Sequence, residues 1–168
     1  MHRRRRLTAV DECDGTLLGV QAGSVRVHGY GAGGAGGALE VRPRWGGASL
    51  SIEVDHRDDG VTVCRPIGEL DAFTVSAFRQ ALAELADSPR LVIELSGSTF
   101  VDSAGLGALI GGIRRTRELG GVVAVACNRP TLTRLLRTTG FDRLMPVVET
   151  VEEAVAVLEP PGGDARRG

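Results

Sequence analysis

The sequence predicts a single α/β domain with a mixed, mostly parallel sheet of about five strands and about four helices. Three observations lead there. Residues 50–64 alternate apolar and polar positions on either side of a turn, as a hairpin does. From residue 70 onward, short apolar runs alternate with segments of helical period, as βαβ units do. Aromatic residues make up only 4% of the chain, so the core must be Leu, Val, Ile and Ala, which suits helices packed on a sheet.

The elements follow in order. Leu50, Ile52 and Val54 alternate with Ser51, Glu53 and Asp55 in a half-exposed strand. Arg57–Gly60 is a turn signal, and Val61–Cys64 continues as a second strand, broken by Gly68-Glu69-Leu70-Asp71. Asp71 is placed to cap a helix whose apolar face is Val75, Phe78, Ala81, Leu82 and Leu85, stopped by Ser88-Pro89. Leu91–Leu95 is an apolar strand of the kind found inside a sheet. After a short loop, a helix opens at Ser103 with Leu106, Leu109, Ile110 and Ile113 on one stripe. Arg114, Arg115 and Arg117 occupy its last turn, where the dipole favours cations, and Gly120-Gly121 stops it. Val122–Cys127 is another buried strand. Pro130 opens a helix carrying Leu132, Leu135 and Leu136, ended by Gly140. Met145–Val148 is a short strand, and Thr150 caps a last helix with Val151, Ala154, Val155 and Leu158. Strands alternating with helices should be parallel with right-handed crossovers, and the opening hairpin makes the sheet mixed.

The flanks differ in composition. Residues 1–48 form an Arg- and Gly-rich segment in which positions 29–37 are nearly all Gly and Ala; it is expected to be disordered, with a stray strand near Leu17–Val27. The folded domain is placed at 49–159, and 160–168 is a disordered tail. The glycine run is no phosphate cradle, because no Lys or Ser/Thr follows at the right offset. Leu7–Asp14 is too short and acidic for a signal-peptide core, and the four N-terminal arginines read as a solvated terminal run or an upstream extension rather than a nucleic-acid or targeting patch.

Charge and composition exclude several classes. The formal net charge is −1, so no broad field favours nucleic acid or an anionic membrane. The distribution is uneven: +3 over residues 1–48 and −4 over residues 49–168. Every basic side chain is Arg, which removes Lys-dependent phosphate loops and Schiff bases. Cys13, Cys64 and Cys127 are far apart, fit no metal spacing, and point to a reducing cytoplasm. No apolar run is long enough to span a membrane. No metal or cofactor is expected.

The most informative stretch is Leu91 to Ile110, which reads as strand, loop and helix start with Ser103 at the joint. Open α/β sheets place ligand and reaction sites beyond the C-terminal ends of strands. Backbone N–H groups and the helix dipole favour a phosphate there. An enzyme at this joint would need a base held beside the serine. His2 and His28 lie in the N-terminal segment and His56 beside a hairpin turn, so no His serves Ser103. Glu69, Asp71, Glu94 and Asp102 could gather at one sheet edge; Glu94 has an Arg or solvent to face, and Asp71 a cap to make. Gly105-Leu-Gly107 and Gly111-Gly112 suit close helix packing rather than dinucleotide binding. Ser103 itself reads either as an ordinary helix cap or as the seat of a phosphate switch.

Gly68-Glu-Leu-Asp71, the run Phe100-Val-Asp-Ser-Ala-Gly-Leu-Gly107, and Gly120-Gly121 before Val122–Ala126 resemble STAS domains of the anti-sigma factor antagonist type, over residues 49–158. The resemblance implies a regulator and not an enzyme. Such proteins bind an anti-sigma factor that is a serine kinase of the GHKL ATPase type, freeing a sigma factor. The kinase phosphorylates the motif serine, which ends binding, and a PP2C-type phosphatase restores it. By position, Ser103 matches the phospho-acceptor and Asp102 the acid beside it. Ala104 stands where many members have a second hydroxyl. Ser98 and Thr99 lie in the preceding loop, and Gly68, Glu69 and Asp71 match the other loop of the same docking surface. Gly105, Leu106 and Gly107 complete it, although Leu106 fits the core equally well. Two readings compete: a STAS module that docks in a signalling scaffold without phosphorylation, and a small hydrolase or nucleotide-binding enzyme built on the strand–Ser–helix joint.

Overall fold

The structure is a computed structural model that describes the backbone of residues 24–29 and 36–42, and residues 49–159 in full. It contains one mixed sheet of eight strands: β1 (Ser24–Gly29), β2 (Gly36–Arg42), β3 (Leu50–His56), β4 (Thr62–Leu70), β5 (Arg90–Glu94), β6 (Ser98–Val101), β7 (Val122–Ala126) and β8 (Val147–Val148). Its order is β1-β2-β3-β4-β5-β7-β8, with β6 paired beside the far end of β4. Strands β1 to β4 pair antiparallel in sequence; the β4–β5, β4–β6, β5–β7 and β7–β8 pairs are parallel. The helices are α1 (Val75–Glu84), α2 (Ser103–Glu118), α3 (Pro130–Thr138) and α4 (Val151–Leu158), with a 3₁₀ turn at Phe141–Arg143.

The mixed α/β architecture is the expected one, but three details differ. The six strands from β3 to β8 replace the expected five, because Ser98–Val101 is a strand and not a loop. Glycine 68 does not end its strand either. β4 runs through to Leu70, with a register shift between Gly68 and Glu69 that lets β6 join. Residues 1–48, expected to be disordered, include β1 and β2. There the free edge of β3 supplies six residue pairs of register to β2, an order that local composition cannot reveal. The stray strand expected at Leu17–Val27 meets β1 only over Ser24–Val27; its remainder lies outside the described residues, as does the tail from residue 160.

The central strands feed two cores by alternation. Leu91 and Ile93 of β5 and Val123 and Val125 of β7 join the cluster under α1, α2 and α3. Val92, Ala124 and Ala126 face the smaller cluster under α4. This two-sided burial is why these strands read as continuous apolar runs. Phe78 and Leu82 of α1 and Leu109 and Ile113 of α2 are fully buried against the first face. Thr150 caps α4 with a full capping box: its hydroxyl accepts from the Glu153 N–H at 3.1 Å, and Glu153 reaches back.

Cys64 is fully buried, and burial pushes its thiol from an ordinary 9.0 up to about 12. The fold therefore favours the protonated thiol. That contribution is complete below the ordinary value and is lost as the pH rises from there towards the raised one. Urea midpoints are expected to fall above about pH 9. In Cys64→Ala, less stable throughout for its lost packing, the fall should be shallower. A second expectation concerns α2. A Cβ on Gly107 or Gly111 meets nothing within 4 Å. Gly107→Ala and Gly111→Ala should each stabilise the fold by about 0.5–1 kcal/mol in urea titrations, through helix propensity alone.

Candidate functional site

β4 and β6 end side by side at one edge of the sheet, with Leu70 and Val101 in register. The Asp102 N–H donates to the Leu70 carbonyl at 3.0 Å, which fixes the chain as it leaves β6. Asp102 has extended backbone, and its carboxylate accepts from the Gly105 N–H at 2.9 Å. Asp102 is thus the N-cap of α2. Ser103, read from sequence as the candidate cap, is instead the first helical residue. Either residue type caps well; the anchoring of Asp102 to Leu70 decides between them. Freed from capping, Ser103 is exposed on the first turn of a 16-residue helix. Its position combines an accessible hydroxyl with the positive end of the helix dipole.

Gly105 is buried for a steric reason. A Cβ there would lie 2.6 Å from the Leu70 carbonyl oxygen and 3.0 Å from Val101 Cγ1, so the first turn of α2 presses directly on the ends of β4 and β6. Ala104 and Leu106 are half-buried against the main core, while Gly107 is exposed. Gly105 and the inner side of Leu106 therefore face the packed ends of the strands and the core.

The neighbouring segment, Glu69 to Thr74, is a built turn. Asp71 does not cap α1, because the helix begins at Val75 with Thr74 before it. Its Oδ1 accepts from the N–H groups of Phe73 (2.9 Å) and Thr74 (3.0 Å). The buried Thr74 hydroxyl donates to the Glu69 carbonyl at 2.6 Å and accepts from the Asp71 N–H at 3.1 Å. Thr74 is a site residue the sequence reading missed. Gly68 sits at φ +119°, and a Cβ there would fall 2.0 Å from the Ser49 carbonyl oxygen, so its place in the motif is set by backbone geometry. Two aromatic residues stand out on this edge: Phe73 is 84% exposed and Phe100, opposite Glu69 in the β4–β6 register, is 54% exposed.

Ser98 is buried and its hydroxyl donates to the Pro66 carbonyl at 3.2 Å, so it faces its own backbone rather than a docking partner. Thr99 is exposed. It lines a groove of about 520 Å³ between β6 and α3, with Phe100, Arg129, Leu132, Arg134 and Leu135. Arg129 closes one end by donating to the Ser98 carbonyl at 2.9 Å.

Among the described residues no base is assembled beside Ser103. His56 pairs with the Thr62 hydroxyl at 3.1 Å at the other end of β4. Glu94 accepts from the Ser96 N–H and faces Arg65 at 3.9 Å. Asp102 is occupied as the cap. Among the described residues no cluster of His, Cys, Asp or Glu is arranged to hold a metal ion, and no helix is long and apolar enough to cross a membrane.

A mixed sheet with helices on both faces, one exposed serine and a built acidic turn at its edge make up a small α/β domain. The STAS domain family model matches residues 52–154. An "Anti-sigma F factor antagonist" of Paenibacillus polymyxa is 32% identical over 114 residues, covering 66% of this chain and 97% of that protein. An "Anti-sigma-B factor antagonist" of Listeria monocytogenes is 27% identical over 101 residues, covering 59% of this chain and 89% of that protein. The crystal structure of an anti-sigma factor antagonist from Mycobacterium paratuberculosis superposes with a TM-score of 0.60 at 30% identity, covering 65% of this chain and 93% of that one. The chain belongs to the STAS domain family.

Proposed function

We propose that this chain is an anti-sigma factor antagonist: it docks onto an anti-sigma factor through the sheet edge carrying Ser103, and phosphorylation of Ser103 ends docking. The observation that carries this reading is Ser103 itself, exposed on the first turn of α2 beside a capping carboxylate. A phosphate at that position lies near free N–H groups at the positive end of the dipole, so the fold tolerates it. The same phosphate adds close to two negative charges beside Asp102 and blocks a partner surface that has to come into contact. The names of the relatives support this role. In this proposal the partner is a GHKL-type serine kinase, a PP2C-type phosphatase reverses the modification, and the exchange takes place in the cytoplasm. The docking unit is residues 49–159. Unphosphorylated protein used as bait is expected to retain an anti-sigma factor from a lysate of its host. Recovery of no anti-sigma factor would sink the reading.

A further inference from the structure

The exposed aromatics on this edge lie outside the core, and Phe100 also lines the groove that holds Arg129 and Arg134. Phe73 leaves 84% of its surface in solvent and Phe100 54%, in a domain that buries Phe78 and Phe141 completely. Large aromatic side chains with so much exposed area are the residues that carry protein interfaces. Phe73 is also held in place. Its N–H is bound by the Asp71 carboxylate, and the next residue, Thr74, is buried and tied to both Glu69 and Asp71. The turn therefore presents the ring on a fixed backbone, which lowers the ordering cost of binding. Phe100 stands on β6, in register with Glu69 and three residues before Ser103. Glu69, Asp71 and Asp102 surround the two rings along the chain, and none forms an ion pair among the described residues.

We infer that Phe73 and Phe100 are the apolar anchors of the docking face, and that the occupant is a protein surface with an apolar pocket rimmed by Arg or Lys. The inference rests on the reading under Proposed function, whose partner it describes. These three carboxylates, without an ion-pair partner among the described residues, decide the chemistry of the rim, because an acidic rim would place like charges face to face. Asp71 is a positioning residue here: it holds Phe73 through its Oδ1, a job that Asn can also do. Phosphoserine at 103 would then act by separating the anchors from their pocket. It does not need to change the fold.

The test uses the full chain and the purified anti-sigma factors of the host, titrated calorimetrically one by one. Phe73→Ala and Phe100→Ala should each weaken the binding seen with wild type by at least about tenfold while leaving the thermal midpoint unchanged. Asp71→Ala should weaken it comparably, and Asp71→Asn should retain most of it. Leu119→Ala, an exposed apolar residue at the far end of α2, should bind as wild type does. Wild-type binding with both Phe variants within twofold of it would overturn the anchors and leave the antagonist role standing. Binding of wild type to none of the anti-sigma factors would overturn the role, and the anchors with it.

Discussion

Ser103→Asp is expected to lose its hold on the anti-sigma factor by at least about a hundredfold, on the order of 3 kcal/mol, with its urea midpoint close to that of wild type. Ser103→Ala should bind as wild type does. The asymmetry follows from where the structure puts the residue. Ser103 is not the cap, so removing its hydroxyl leaves the Asp102–Gly105 bond at 2.9 Å in place. A carboxylate on the first turn is favoured by the helix dipole, so the fold accepts it. What it disturbs is the surface, by placing a second negative charge beside Asp102. A serine that worked as the helix cap would behave otherwise, with Ser103→Ala costing about 1 kcal/mol of stability. The pair of variants, read once by calorimetry and once by urea titration, therefore separates a switch from a cap.

The largest effect on stability is expected at Gly68. Gly68→Ala should cost on the order of 3–5 kcal/mol and leave much of the protein unfolded or insoluble. Two penalties add. The backbone sits at φ +119°, where a side chain is strained, and the new Cβ would lie 2.0 Å from the Ser49 carbonyl oxygen. That oxygen belongs to backbone at the start of β3 and cannot move without dragging the strand. Gly105→Ala should cost less, about 2 kcal/mol, because the first turn of α2 can rise slightly from Leu70. It should also weaken docking, since Ser103 rides on that turn. Comparing the two by urea midpoint and by affinity sorts the motif into parts. Gly68 holds the fold and Gly105 holds the site.

The motif glycines show how the sequence both helped and misled. Their spacing places the proposed site where β4 and β6 end, yet Gly68, Gly105 and Ser98 are packed or buried, and of the candidate site residues only Ser103, Thr99 and Gly107 are openly exposed. Burial is a property of the assembled sheet, and β6 is the element that creates it. Four residues without a strand period or a turn signal do not announce a strand; Ser98–Val101 becomes one because β4, past its register shift, offers a free edge. The N-terminal strands escaped for the same reason, since β2 is ordered by pairing with β3. By contrast, β3, β5 and β7 were legible because alternation or a continuous apolar run reports which faces are buried, and α4 was legible because Thr150 and Glu153 form a local capping box. Phe73 and Phe100 lay beyond reach. Single aromatic residues in an apolar sequence look like core, and only the folded chain shows them in solvent.

If Ser103 is the one switch of this edge, phosphate mapping will show it. The protein is incubated with its anti-sigma factor, ATP and Mg²⁺, and examined by intact mass and fragment sequencing. The expected result is a single added phosphate, located on Ser103, absent in Ser103→Ala, and accompanied by release of the complex. A phosphate on Thr99 or another hydroxyl, or a phosphorylated Ser103 that still binds as tightly as the unmodified chain, would contradict it.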